Sequence, residues 1–147
     1  MAVNNNPIFP ATPYAITVSL AAVTACTTRA PTATASLAAA NIIQLCPVST
    51  NGKRVDKIQV QGASSAITAP TAAQLVDIWM WDGTTAFVID QIVVTLVTPS
   101  TTVVQYTGSK SYTTLVLPAA FALYVSTSIT TTASTTALSV SLFGGDY

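Results

Sequence analysis

Residues branched at the β-carbon dominate this chain, and proline and glycine interrupt them at short intervals. The 147 residues include 25 Thr, 16 Val and 10 Ile, together with 8 Pro and 6 Gly. Branched side chains lose freedom in a helix and pack well on a pleated surface, so this composition favours strands. Eight segments have strand character, at residues 14–21, 38–46, 54–61, 75–81, 86–96, 111–117, 121–128 and 137–143.

Two of these segments are open to other interpretations. The alanine-rich first half of 38–46 also suits a helix, and 86–96 is long enough for one strand or for a bent pair. Segment 137–143 has the clearest pattern, because Leu138, Val140 and Leu142 alternate with serines. Such alternation gives a strand one apolar and one polar face.

Four dipeptides have the chemistry of turns between strands. They are Asn51-Gly52, Asp82-Gly83, Thr107-Gly108 and Leu117-Pro118. Asn-Gly and Asp-Gly best tolerate the positive φ of tight hairpins. About eight short strands in one domain are typical of two packed sheets. The sequence therefore predicts an all-β fold, a jelly-roll-like antiparallel β-sandwich of about eight strands.

The first thirteen residues differ from the rest, because they contain Pro7, Pro10 and Pro13. Each proline fixes its own φ and biases the preceding residue away from helix. We therefore predict an extended N-terminal arm over residues 1–13. The remaining residues, 14–147, are enough for a single sandwich domain with a core of its own.

The chain is poor in groups that perform chemistry. Only 7% of its residues are charged, and it has no histidine and no glutamate, whereas about 25% charged residues is usual. Its serines lack the usual histidine base. Asp77, Asp82 and Asp90 match no metal-binding loop. We therefore expect no enzymatic activity, no cofactor and no metal site.

The formal net charge of zero bears on the choice of partner. Nucleic-acid binding needs a basic face, and no apolar run reaches the roughly 18 residues of a membrane helix. We therefore expect neither nucleic acid nor a membrane as partner. A surface with little charge also gives little repulsion between copies, so we expect a homo-oligomer.

Cys26 and Cys46 do not have the spacing of a metal site. In a reducing compartment they would be free thiols, and in an oxidising one they could form a disulfide within the chain or across a subunit boundary. We favour free thiols.

Charged residues gather at one place, where Lys53, Arg54, Asp56 and Lys57 follow the Asn51-Gly52 turn. They form either a contact patch or the shoulder of a hairpin. In the first case Arg54 and Lys57 reach carboxylates of a neighbouring subunit. In the second the charges keep an edge strand soluble.

Trp79 and Trp81 lie two positions apart, so on a strand they share one face with Asp77. The opposite face, with Val76 and Ile78, is the better core face. Buried indoles would belong to the core or to a subunit interface, which we favour. Exposed indoles would form a platform for a sugar or a protein partner.

Four stretches along the chain resemble small structural proteins encoded by tailed bacteriophages and prophages. They are residues 6–13 (NPIFPATP), 51–58 (NGKRVDKI), 117–123 (LPAAFAL) and 144–147 (GGDY). The resemblance implies a small all-β component of the virion, made in the cytoplasm of a host bacterium.

Within that group we expect a capsid decoration (cement) protein, a trimer that stabilises the head by binding the major capsid protein lattice. The alternative is a carbohydrate- or receptor-binding module, or a neck or tail accessory protein of the virion. The residues expected at the partner interface are Pro7, Ile8, Phe9, Pro10, Arg54, Lys57, Trp79 and Trp81.

Overall fold

The computed structural model describes residues 12–30, 32–33, 41–66 and 68–147. Within these ranges the chain forms strands and no helix, so the predicted all-β fold is confirmed. The strands are β1 (Thr12–Leu20), β2 (Thr32–Ala33), β3 (Ile42–Cys46), β4 (Lys53–Gly62), β5 (Gln74–Trp81), β6 (Thr85–Val94), β7 (Thr107–Leu117), β8 (Ala122–Thr127) and β9 (Leu138–Asp146).

The strands form two antiparallel sheets. The order is β1-β9-β4-β7 in the four-stranded sheet and β2-β6-β5-β8-β3 in the five-stranded sheet. The eight longer strands pair in nested order: β1 with β9, β3 with β8, β4 with β7, and β5 with β6. The first half of the chain is thus folded against the second half.

Each of the eight predicted segments overlaps one of these longer strands. The segment 86–96 corresponds to the single strand β6, and no sequence pattern indicated the two-residue β2. Residues 38–40, where a helix was also considered, lie outside the described ranges. The predicted antiparallel β-sandwich is therefore confirmed in its strands and layers.

An apolar core fills the space between the two sheets. The predicted alternation in β9 is confirmed, because its leucines and Val140 are fully buried while the serines between them are half-buried. Inward residues of the other strands complete the core. They include Val55, Ile58, Val60, Val76, Ile78, Leu117, Leu123 and Val125.

Residues 23–30 cover the outer face of the five-stranded sheet, and β2 extends that sheet at the edge beside β6. The Cys26 N–H donates to the Thr127 carbonyl at 2.8 Å, and β2 pairs with the start of β6. A second apolar cluster forms under this cover. It consists of Cys26, Ile42, Trp79 and Ala86. Strand β5 is therefore buried on both faces over most of its length.

Polar contacts join the two sheets where β6 meets β7. Lys110 Nζ lies 3.2 Å from Asp90 Oδ1, and the Tyr112 hydroxyl donates to Asp90 Oδ2 at 3.0 Å. Burial raises the pKa of Asp90, but hydrogen bonds from the Gln91 backbone, Lys110 and Tyr112 outweigh it and lower the pKa overall. Burial and the adjacent carboxylate raise the pKa of Tyr112. The carboxylate stays charged and the phenol stays neutral at neutral pH.

Two predicted turn dipeptides carry the positive φ that glycine allows, 89° at Gly52 and 100° at Gly83. Asp82-Gly83 closes the β5–β6 hairpin. Asn51-Gly52 joins β3 to β4, which lie in different sheets. The interpretation of residues 53–57 as a hairpin shoulder is therefore wrong, because this connection crosses the sandwich.

The prediction of a turn at Thr107-Gly108 is wrong. Both residues lie in β7, with Gly108 opposite Val60. The Tyr106 side chain occupies the position that a Cβ of Gly108 would take. Glycine therefore leaves room here for close packing within a strand, which is its other common use.

Strand β1 begins at Thr12, two residues before the predicted start of the domain. Pro13 lies in this edge strand opposite Gly145, and an edge strand tolerates a residue without an N–H. The rest of the predicted arm, residues 1–11, lies outside the described residues. So do four of the predicted interface residues, Pro7, Ile8, Phe9 and Pro10.

We expect Leu142→Ala to lower the free energy of unfolding by about 2–5 kcal/mol, because it leaves a cavity at a fully buried position. Val116→Ala, at a position 47% exposed on the same sheet, is the control and should change it by less than about 0.5 kcal/mol. Urea unfolding followed by tryptophan fluorescence measures both. Equal losses in the two variants would contradict the assignment of Leu142 to the core.

Candidate partner-binding surfaces

Nearly every charged side chain is paired within the chain. Four ion pairs form among the described residues: Arg29–Asp77 (3.0 Å), Lys53–Asp146 (3.5 Å), Arg54–Asp56 (2.7 Å) and Lys110–Asp90 (3.2 Å). The fifth aspartate, Asp82, accepts hydrogen bonds from Thr85 and Thr84, which lower its pKa. Lys57 is the remaining charged residue, and it makes no ion pair with any residue that the structure describes. The molecule therefore offers little unpaired charge to a partner.

The charged residues at 53–57 do not form one patch. Lys53 is only 6% exposed, and its ammonium lies 5.1 Å from the centre of the Tyr14 ring. Arg54 and Lys57 are half-buried, and Asp56 holds Arg54 through contacts of 2.7 and 3.1 Å. Arg54 and Lys57 are the two predicted interface residues here. Arg54 could contact a neighbour only by breaking its ion pair with Asp56, whereas Lys57 has no ion pair to break among the described residues.

Buried polar groups surround Lys53 at this end of the sandwich. The Tyr14 hydroxyl lies 3.6 Å from the Cys46 sulfur. Burial is the main reason that the pKa of Tyr14 and the pKa of Cys46 are both raised. The hydrogen bond with Tyr14 and the charge of Lys53 act in the opposite direction on Cys46 but do not outweigh burial. Cys46 is therefore a buried protonated thiol at neutral pH, with little reactivity.

Both cysteines are free and buried. Cys46 belongs to the main core, and Cys26 belongs to the cluster on the other side of the five-stranded sheet. Because the sheet lies between the two sulfurs, this fold agrees with the free thiols that we favoured.

Trp79 and Trp81 have different environments. Trp79 is fully buried, and its indole N–H donates to the Ser126 hydroxyl at 2.9 Å. Trp81 is half-buried, and its ring meets that of Tyr124 edge-on with centroids 6.5 Å apart. Trp79 therefore belongs to the core of a single copy, and the two indoles do not form an exposed platform.

The neighbouring Asp77 is completely buried. Its Oδ1 accepts hydrogen bonds from Arg29 Nε at 3.0 Å and from Gln91 Nε2. A cleft of about 520 Å³ lies beside Arg29 along β6. Arg29 comes from the covering segment 23–30, so this ion pair ties the cover to the sheet. The sequence did not predict this ion pair, because 48 positions separate the two residues and no local pattern connects them.

Exposed aliphatic side chains are concentrated where β6 leads into its connection to β7. Val93, Leu96, Val103 and Val104 are 62%, 65%, 48% and 84% exposed. The Tyr106 hydroxyl donates to the Val93 carbonyl and so ties the connection to β6. Residues 93–104 are named here the β6–β7 aliphatic stretch. The valines at 103–104 stand among Thr and Ser without alternation, so the sequence did not single them out.

Comparison of the chain with family models, with curated proteins and with solved structures gives no match. In the part of the chain that the structure describes, no helix is long and apolar enough to cross a membrane. In the same part, no three cysteine or aspartate side chains come together as metal ligands would.

We expect Arg29→Met to lower the free energy of unfolding by roughly 3 kcal/mol, because it leaves Asp77 as a buried carboxylate without its counter-charge. Arg54→Met is the matched control. It breaks a pair whose two side chains are 37% and 45% exposed, and such pairs contribute about 0–1 kcal/mol. Urea unfolding of both variants measures the difference. Arg29 is itself 39% exposed, so the expected difference comes from the complete burial of Asp77. An equal or larger loss for Arg54→Met would contradict the structural role of the Arg29–Asp77 pair.

Proposed function

We propose that the protein is a bacteriophage virion structural protein, a capsid decoration (cement) protein that binds the lattice of the major capsid protein. The observation that carries this proposal is the β6–β7 aliphatic stretch on a molecule whose charges are paired internally. Large exposed apolar patches are typical of association surfaces, and this stretch carries four exposed aliphatic side chains within twelve residues. A partner that covers them has few charges to desolvate, so burial of apolar area is not offset by a large electrostatic cost.

We infer further that the sandwich is a jelly roll. The nested pairing of β1 with β9, β3 with β8, β4 with β7 and β5 with β6 follows the two Greek keys of that fold. Jelly rolls occur in viral capsid proteins and also in lectins. Because a fold alone does not imply a function, this inference supports a virion role only together with the resemblance to phage structural proteins.

In this proposal copies associate as trimers on the capsid lattice, and the N-terminal arm contacts a neighbour. Thr12 starts the edge strand β1 of the four-stranded sheet, so residues 1–11 join the sandwich at its margin. A standard protein interface buries roughly 1,600 Å². In this proposal the interface area comes from two parts of the chain, the β6–β7 aliphatic stretch and the N-terminal arm.

The proposal includes no catalysis, no cofactor, and no nucleic-acid or membrane partner. The absence of histidine and glutamate supports it. The environment of the five aspartates also supports a function without catalysis. Each carboxylate is held by an ion pair or by hydrogen bonds within its own turn, which does not suit a general base.

We expect on the order of hundreds of copies in each particle, because a decoration protein follows the symmetry of the shell. Mass spectrometry of purified virions, with copies counted relative to the major capsid protein, measures this number. A few dozen copies or fewer would contradict decoration and would favour a neck or tail accessory protein.

We expect Val104→Asp to weaken binding to capsids that lack this protein by about tenfold or more, because it places an unpaired charge in an apolar contact. Val48→Asp is the matched control, since Val48 is 48% exposed on the connection between β3 and β4. Co-sedimentation with capsids measures binding, and circular dichroism verifies that both variants fold. Equal binding by the two folded variants would contradict a role for the aliphatic stretch.

A further inference from the structure

The outer face of the four-stranded sheet carries two aligned rows of uncharged polar side chains. Each of its four strands contributes a triplet whose middle residue faces the core, for example Thr17-Val18-Ser19 in β1 and Gln59-Val60-Gln61 in β4. The register places the outward residues side by side. One row is Thr17, Ser141, Gln59 and Ser109, and the next is Ser19, Ser139, Gln61 and Thr107.

These rows form a surface of hydroxyl and amide groups. All eight side chains are exposed or half-buried. The hydroxyls of Thr17 and Ser141 lie 2.8 Å apart, so neighbours within a row are close enough to act on one ligand. Each group can donate and accept hydrogen bonds. Four strands span about 14 Å across a sheet, and successive rows lie about 7 Å apart.

A third row differs from the other two, because it holds an aromatic ring next to a charge. It consists of Ala15, Phe143, Lys57 and Ser111. Phe143 is 39% exposed and lies directly opposite Lys57 on the adjacent strand. The other four cations of the chain are held by aspartates, whereas Lys57 makes no ion pair among the described residues. Among the residues that the structure describes, the cationic side chain without an ion pair therefore lies on this face.

We infer that this face binds an acidic polysaccharide. The Lys57 ammonium would contact a sugar carboxylate, the Phe143 ring would lie against the apolar C–H face of a sugar, and the two rows would hydrogen-bond to hydroxyls. Charge complementarity selects an anionic ligand, and the polar rows select one rich in hydroxyl groups. This composition does not favour a protein partner, because interface cores are enriched in aromatic residues and depleted in serine and lysine.

The inference is independent of the capsid proposal. The polysaccharide face is the outer surface of the four-stranded sheet, whereas the β6–β7 aliphatic stretch begins in the five-stranded sheet. A virion protein can use one surface to attach and the other to contact sugars. Variants of the polysaccharide face should leave capsid binding unchanged, and variants of the aliphatic stretch should leave sugar binding unchanged. Failure of one proposal can therefore be distinguished from failure of the other.

The test is isothermal titration of the intact chain with oligogalacturonate, with a neutral malto-oligosaccharide as the comparison ligand. We expect binding of the acidic oligosaccharide that weakens as salt is added, because an exposed ion pair is screened. Lys57→Gln should weaken binding about fivefold and remove most of its salt dependence. Phe143→Thr should also weaken it about fivefold, through the lost contact with the ring.

Phe87→Thr is the matched control, because Phe87 is 38% exposed and lies on the five-stranded sheet. It should bind as the unchanged chain does. Absence of binding to oligogalacturonate by the unchanged chain would overturn the inference. Binding by the Lys57 and Phe143 variants that is as tight as that of the unchanged chain would also overturn it. If these two variants alter the oligomeric state in native mass spectrometry and not sugar binding, the face is a contact between copies and the inference is wrong.

Discussion

The register of β9 between β1 and β4 is the constraint on which most other features of this molecule depend. β9 pairs along its whole length with β1 on one side and with β4 on the other. Side chains alternate with a period of two, so a slip by one residue would exchange the buried and exposed faces. Leu138, Val140 and Leu142 would then face solvent, and the serines between them would enter the core. The same register aligns the polar rows on the outer face. The core and the candidate polysaccharide surface are therefore two results of one pairing.

Charge is used in this protein mainly to hold the structure together. Asp77 is buried beneath a covering segment and is tolerated there because Arg29 and Gln91 bind it. Asp90 connects the two sheets through Lys110 and Tyr112. These pairs lie between elements that are distant in sequence, and they leave a surface with little charge of its own. Such a surface suits association through apolar contacts, as in the capsid proposal. Lys57 is the exception, and the polysaccharide proposal depends on its charge.

The strands were predictable from local patterns, whereas the environment of individual residues was not. Alternation in residues 138–142 is read directly as a strand with two faces, and the structure confirms it. Thr107-Gly108 has the composition of a turn, yet Gly108 pairs with Val60 in β7, and the Tyr106 side chain takes the space of a Cβ there. Trp79 and Trp81 lie in the same local sequence pattern, but Trp79 is a fully buried member of the second cluster, whereas Trp81 packs against that cluster and is half-buried. A pattern of period two identifies the face of a residue and does not indicate what covers that face.

The sequence by itself determined the all-β fold, the strand positions, and the shortage of charged and reactive groups, because these follow from side-chain shape and composition. It could not determine which strands are neighbours, since antiparallel partners here are separated by up to nearly the whole length of the chain, as with Thr12 and Asp146. Only the tertiary structure brought four short polar triplets into rows, placed Lys57 beside Phe143, and paired Arg29 with Asp77. The physical reason is that hydrogen-bonded pairing and burial act between distant segments, whereas local patterns record only the preference of each segment for a strand and a face.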